Sequence, residues 1–405
     1  MSNRQNFYTE SLAESSRTAT SYATKMSLDF TPDPETRYLI LWSATVRMPD
    51  SVGTSALVRI QHDGTTIAGE LDRTNQDVSD RFMIGGAYVM PAEASPGAPP
   101  STTFAMQWKS SNSGFAAIIY DATMIALKLR ENETDQDEEA SADAETSTDS
   151  TSFVTKVELS FTPDTAGDYL LICSCEGKDN SVIQVNDIRV TVDGAARSLF
   201  KWRPEQTADW ASYAMTARVT LAEGLRSIKI EHRSPTGNPV FSNVRNARII
   251  ALRLSKFQFN YYAEELTGGT TTDTSFVEFL TLSETLAAND HLVFLHSING
   301  TTSTSQSVHA QYTEDDSSVS PTEEVQARLS EREGSGGGDR EACDWAFWKK
   351  TYSGVPVRWD IDYRIENAAA TAAIDDATIA VIDLTDIGAL GGGGGGGASS
   401  FNLLV

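Results

Sequence analysis

The sequence predicts an all-β chain of three tandem antiparallel β-sandwiches, jelly-roll-like in plan, and three observations predict it. A closing strand recurs as Asp121-Ala-Thr-Met-Ile-Ala-Leu-Lys-Leu129, Asn246-Ala-Arg-Ile-Ile-Ala-Leu-Arg-Leu254 and Asp376-Ala-Thr-Ile-Ala-Val-Ile-Asp-Leu384, with starts 125 and 130 residues apart. A period that long is one whole domain used three times. Apolar residues recur at every second position in each copy, the period of a half-buried strand, and no helical period is sustained. Turn residues punctuate these runs, as in Asp63-Gly64 and Asp193-Gly194, which supply the positive φ of a tight hairpin. The domains are expected at 1–130, 131–256 with an acidic linker at 131–150, and 257–388, followed by a glycine tether and apolar tail at 389–405.

Each copy opens with a Ser/Thr-rich stretch running into a strand. Met26, Leu28 and Phe30 alternate before Thr31-Pro32, and Val157, Leu159 and Phe161 before Thr162-Pro163; proline ends both. A more continuously apolar run follows, Tyr38-Leu-Ile-Leu-Trp42, Tyr169-Leu-Leu-Ile-Cys173 and His291-Leu-Val-Phe-Leu295, as suits a central strand. After the hairpin comes a long alternating strand, clearest where Val357, Trp359, Ile361, Tyr363 and Ile365 interleave with Arg358, Asp360, Asp362 and Arg364. The closing strand completes the copy.

The stretches before each copy differ. Asn6-Phe7-Tyr8 and Asn260-Tyr261-Tyr262 match one another, whereas copy two offers the acidic run Asn132 to Glu139. The aromatic leads are read as docking strands, which makes Phe7, Tyr8, Tyr261 and Tyr262 candidate partner-binding residues, and the acidic run as a solvated linker. The tail, seven glycines and then Ala-Ser-Ser-Phe401-Asn-Leu403-Leu404-Val405, has the form of a peptide that reaches from its domain into a groove on a neighbour. Phe401, Leu403, Leu404 and Val405 are therefore further candidates.

The formal net charge is −24, with 56 acidic and 32 basic residues. That field repels phosphate backbones, so nucleic acid is not expected as a partner. No apolar run has the length of a membrane span, and the start lacks an apolar signal core, so neither a membrane nor ordinary secretion is expected. Cys173 and Cys175 sit two apart on one strand face, too strained for a disulfide, so these and Cys343 are expected as free thiols.

Catalytic patterns are missing: no G-x-S-x-G elbow, H-E-x-x-H pair or phosphate-binding Gly-Lys-Ser/Thr loop occurs. The five histidines do not recur at equivalent places, whereas copies of an active site should repeat their reactive groups. No enzyme, cofactor or metal is expected. Most tryptophans fall on the apolar side of an alternating strand; Trp348, in Trp345-Ala-Phe-Trp-Lys-Lys350, is the candidate for an exposed ligand-binding ring.

The set of Phe30-Thr31-Pro32, Phe161-Thr162-Pro163, the two Asp-Gly hairpins and the closing strand Asn246 to Leu254 resembles the β-sandwich virion proteins of tailed bacteriophages. The resemblance covers all three copies, although the third lacks Phe-Thr-Pro and Asp-Gly. It implies a non-enzymatic virion structural protein on the particle surface, assembled in a host cytoplasm, with a major capsid or tail protein as partner. Capsid decoration is the first reading and a tail, head fibre or appendage component, with self-association, the second. A carbohydrate-binding module array that attaches to receptor or surface glycan is the alternative of another class.

Overall fold

The computed structural model describes residues 5–47, 55–74, 81–92, 100–129, 137–179, 186–202, 210–237, 240–257, 260–301, 307–316, 328–333 and 340–385. Their strands fall into three groups of nine with the same topology. Unit 1 holds β1 (Asn6–Ser11), β2 (Ser15–Arg17), β3 (Ala23–Phe30), β4 (Tyr38–Arg47), β5 (Ser55–His62), β6 (Thr65–Thr74), β7 (Arg81–Met90), β8 (Thr102–Ser110) and β9 (Ala117–Lys128). Unit 2 holds β10 (Glu138–Ala142), β11 (Thr146–Thr148), β12 (Val154–Phe161), β13 (Gly167–Asp179), β14 (Asn186–Val192), β15 (Ala195–Trp202), β16 (Ala211–Leu221), β17 (Arg226–Arg233) and β18 (Ser242–Arg253). Unit 3 holds β19 (Asn260–Glu265), β20 (Gly269–Thr271), β21 (Val277–Thr285), β22 (Asp290–Thr301), β23 (Ser307–Asp316), β24 (Arg328–Glu333), β25 (Arg340–Thr351), β26 (Pro356–Ile365) and β27 (Ala372–Asp383).

In unit 1 one sheet runs β1-β9-β4-β7, with β2 also on β9, and the other runs β3-β8-β5-β6; units 2 and 3 repeat both orders strand for strand. Described strand pairs are antiparallel and consecutive strands often lie in opposite sheets, the two-sheet jelly roll. The Asp63-Gly64 and Asp193-Gly194 turns have positive φ at both residues, so each hairpin closes as its sequence requires.

The closing-strand motif has a backbone reason. Asp121, Asn246 and Asp376 all lie near φ +50°, a left-handed conformation that Asp and Asn tolerate better than most residues. At each of these points the register against the central strand slips, between Ser43 and Thr45, Ser174 and Glu176, and His296 and Ile298. The motif marks a β-bulge used three times. A second bulge recurs on the other sheet at Lys25, Lys156 and Phe279. Lys25 Nζ donates to the Ala13 carbonyl at 2.5 Å, and Lys156 Nζ donates to that of Ala144. Each lysine thus ties the edge of one sheet to the kink between the first two strands of the other.

The continuously apolar central strands are buried on both faces. Tyr38, Ile40 and Trp42 face unit 1's own core, while Leu39 and Leu41 face away from it. Likewise Tyr169, Leu171 and Cys173 serve unit 2's core and Leu170 and Ile172 do not; Val293 and Leu295 serve unit 3's, and Leu292 and Phe294 do not. These outward residues, with Ile125, Leu127, Ile250, Leu252, Ala380 and Ile382 of the closing strands, form a fourth core shared by all three units. Burying roughly 1.5–3 kcal/mol of apolar side chain per large residue there ties the units together.

Two expectations are corrected here. The described part of the stretch expected as a solvated linker is folded: Glu138–Ala142 forms β10 and pairs with β18 as β1 pairs with β9, while residues 131–136 lie outside the described residues. Asp137 beside it is buried, and burial pushes the Glu138 carboxyl above its usual range. The alignment of the leads also shifts, because Phe7, Glu138 and Tyr261 occupy the same position, opposite Ala126, Ala251 and Val381.

Candidate functional site: a closed ring of three units

The units close into a ring with equivalent contacts at each junction. β6 meets β16, β15 meets β25 and β24 meets β7; β13 meets β7, β22 meets β16 and β4 meets β25. Each unit thus presents one face to the next and receives the same kind of face from the one before, a head-to-tail arrangement that closes after three. The sheet-edge strands β7, β16 and β25 each touch the other two and so line the axis.

Polar contacts fasten the three junctions. Between units 1 and 2, the Ala87 N–H donates to Ser174 Oγ at 3.1 Å, the Gly69 N–H to Glu176 Oε1 at 3.1 Å, and Arg37 pairs with Glu139 at 3.1 Å. Between units 2 and 3, the Arg218 N–H donates to Tyr262 Oη at 2.9 Å, and Arg197 pairs with Glu264. Between units 3 and 1, Thr123 Oγ1 donates to the Phe347 carbonyl at 3.1 Å. A space of about 10 Å³ lined by Trp42, Gly85, Gly86, Ser174 and Arg248 lies at the first junction, room for about one water.

The threefold likeness breaks at the axis. Gly85, Ala214 and Trp345 are equivalent, lying opposite Ser43, Ser174 and His296 on the central strands. A Cβ on Gly85 would lie 2.4 Å from the Trp345 ring, so the indole of unit 3 occupies the space that the small residues of units 1 and 2 leave. Trp345 Nε1 donates to Thr216 Oγ1 of unit 2 at 2.9 Å, and Cys343 Sγ donates to the Ala214 carbonyl at 3.2 Å. One side chain plugs the ring.

The aromatic leads lie in strands of their own chain's sheets. Phe7 stacks on Phe30 at 4.5 Å inside unit 1, and Tyr261 packs against unit 3's core. Tyr8 and Tyr262 turn the other way into the shared core, with Tyr262 bonded across to unit 2 as above. All four are half-buried in strands already paired. Trp348 is corrected as a ligand-binding ring, since it is fully buried and its Nε1 donates to Glu314 Oε2 at 2.7 Å. It faces inward because β25 lies in the sheet whose two faces are both covered. Phe401, Leu403, Leu404 and Val405 lie outside the described residues.

Glu314, which sequence reasoning did not single out, is the most engaged carboxylate among the described residues. Its side chain is fully buried, and it accepts from Trp348 and Trp359 Nε1 at 2.7 and 2.8 Å, Tyr352 Oη at 2.5 Å and Lys350 Nζ at 2.8 Å. Every donor is scaffold. No group of three or more His, Cys, Asp or Glu capable of holding a metal occurs among the described residues, and the three cysteines are buried and free. No described helix is long and apolar enough to cross a membrane.

Two buried histidines carry a pH signature. Burial holds the imidazoles of His232 and His296 down to about 4, below the usual value near 6.5. Both stay neutral in the folded chain, so their contribution to stability is complete above about pH 6.5 and is lost as pH falls from there to about 4, at about 3 kcal/mol each. Asp362 acts oppositely, because burial raises its carboxyl to about 6 and the folded state gains a proton there first. Urea unfolding of the native chain and of His296→Gln between pH 7 and 4 isolates the first effect: the variant is expected to lose stability with falling pH by one proton fewer.

Unit 2 carries a cleft at one end of its sheets. Phe161 at the end of β12, Thr162, Pro163 and Asp164 after it, Tyr169 of β13, Glu138 of β10 and Arg253 of β18 line an opening of about 260 Å³ in unit 2, where both aromatic rings are themselves buried. Phe161 and Tyr169 meet edge to face at 5.6 Å, and the Arg253 guanidinium stands 6.0 Å over the Tyr169 ring. In unit 1 Phe7 takes the strand position of Glu138 and stacks on Phe30.

No family model and no curated protein matches the chain. Among solved structures, it is similar to one described as "The Triple Jelly Roll Fold and Turret Assembly in an Archaeal Virus", at 10% identity and a TM-score of 0.20 over 94% of this chain and 92% of that one. A second, from Sulfolobus Turreted Icosahedral Virus, has the same identity, coverage and TM-score. A tandem CBM22 pair of Paenibacillus barcinonensis Xyn10C matches 60% of this chain and 92% of its own, at 11% identity and a TM-score of 0.18.

Proposed function

We propose that the chain is a non-enzymatic structural protein of a virus particle, a cap of three jelly rolls seated at a threefold position of the shell. The observation that carries this reading is the closed ring: one chain reproduces the surroundings of a trimer, with equivalent junctions and a shared core. The jelly roll is an architecture of viral capsid and lectin domains, although a fold alone does not assign a role. What recurs between units supports the particle reading, since it consists of bulges, hairpins and core residues and includes no reactive group. The six tryptophans whose side chains are described are all buried, so none of these six offers a glycan the exposed indole that the lectin reading wants. The ring also disfavours a rod of sandwiches in line, the form a fibre would take.

Mixing the purified chain with shells stripped of their surface proteins tests this. Saturable binding in a fixed ratio to shell threefold positions, seen by cryo-electron microscopy, is the expected result. Self-association into filaments without a shell would favour the fibre reading, and absence of the chain from purified particles would remove both.

A further inference from the structure

We propose that β21, the edge strand of unit 3, is a docking edge that a basic, extended segment of another polypeptide joins as an added strand. This goes beyond the particle reading and does not depend on it. Among the described residues β3, β12 and β21 each end a four-stranded sheet and pair on one side alone, with β8, β17 and β26. The open side of such a strand presents unpaired N–H and C=O groups, and proteins guard it with lysine, proline and bulges. Edges β3 and β12 carry all three guards: their bulges hold Lys25 and Lys156, and Thr31-Pro32 and Thr162-Pro163 follow them. β21 keeps the bulge but has Phe279 in the place of the lysine and Thr285-Leu286 in that of Thr-Pro.

The side chains of β21 are also less covered. Its pairing makes Leu280 the counterpart of Met26 and Val157, and Glu284 that of Phe30 and Phe161. Those four are buried, whereas Phe279, Leu280 and Glu284 are half-buried, and Leu282 is the single buried residue of the strand. An added strand would cover what this edge leaves open, its backbone bonds giving affinity and its alternate side chains specificity. Charge selects the occupant. Glu278 lies directly opposite Asp362, with Asp360 two residues along β26, and like charges opposite one another on a sheet repel. The same pair is Thr24 and Gln107 in unit 1 and Thr155 and Glu231 in unit 2. Arg358 pairs with Glu278 but is shared with Asp360, and both carboxylates add to the burial that raises the Asp362 carboxyl to about 6. A lysine or arginine on a strand beyond β21 would stand beside Glu278 and offset this excess. A second copy fits less well, because antiparallel pairing of β21 with itself about Thr281 sets Glu278 against Glu284, and each chain carries a net charge of −24.

A fluorescent peptide of the length of β21, in which lysine alternates with valine, tests the assignment on the full chain. Saturable binding by anisotropy is expected, with slowed hydrogen exchange at the outward amides of β21 and not at those of β3 or β12. Phe279→Lys, which installs the residue found at the other two bulges, is expected to weaken binding at least tenfold. A peptide of the same charge with proline in place of every second valine is expected to bind at least tenfold more weakly than the first. Equal binding of the two peptides would show attraction to an acidic chain alone and would overturn the proposal, as would no binding or protection spread over all three edges. Outward amides of β21 already protected before peptide is added would show an edge occupied by this chain or a second copy, and would overturn it too.

Discussion

Replacing Trp345 with alanine is expected to lower the unfolding free energy by about 3–5 kcal/mol, the cost of a large cavity in a packed interior. The indole lies on the ring axis, 1% exposed, with its N–H on Thr216 of one unit and its face against Gly85 of another. Collapse to fill the void would require three sheets to move together, so little of the loss should be recovered. The reciprocal change, Gly85→Leu, drives a side chain into the same ring and is expected to cost a comparable amount. Combining the two should restore part of the stability, because the leucine enters the space that the indole left. A coupling of that sign in urea unfolding would place the two residues in one packing unit; strict additivity would deny the contact.

The second large effect is expected at Glu314. Alanine there takes a shared acceptor from two buried indole N–H groups and the buried Tyr352 hydroxyl, and a buried carboxylate partner from the half-buried Lys350 ammonium. Removing one side of a buried charged network costs about 3–5 kcal/mol, and unsatisfied donors add to it. Glu314→Gln keeps one acceptor oxygen but sets an amide N–H₂ against other donors, so a smaller loss in the same direction is expected. Equal stabilities for all three chains would show that the network contributes nothing. The shape of the unfolding curve matters too. Because unit 3 supplies Trp345 to the axis, loosening its core should loosen the ring, and a single cooperative transition is expected to move as a whole.

These two residues show where the sequence was readable. Glu314 stands two positions after Tyr312, on the face carrying Val308, Ala310 and Tyr312, so period-two alternation alone puts it inside, although its acidic neighbours Asp315 and Asp316 obscure that pattern. Gly85-Gly86 inside an apolar strand is a signal of close backbone approach, and side chains do press on both. The strands, the Asp-Gly hairpins and the threefold repeat were legible because each depends on local spacing. The shared core was not. A strand buried between its own partner sheet and a neighbouring unit has the same apolar run as one central to a lone sandwich, so Leu39 and Leu41 carry no mark of which neighbour covers them. The aromatic leads carry no mark in the sequence of what covers them, and only the folded chain shows that the surfaces they meet are its own. Trp348 was misjudged because two lysines follow it, and one of them, Lys350, turns back to the buried Glu314.

Small-angle X-ray scattering of the full chain tests most directly whether three units close about one core. A compact ring of 405 residues should give a radius of gyration of about 22 Å. Three sandwiches strung in line, each about 14 Å in radius of gyration and set about 40 Å apart, would give roughly 35 Å, and a value near that would contradict the closed ring.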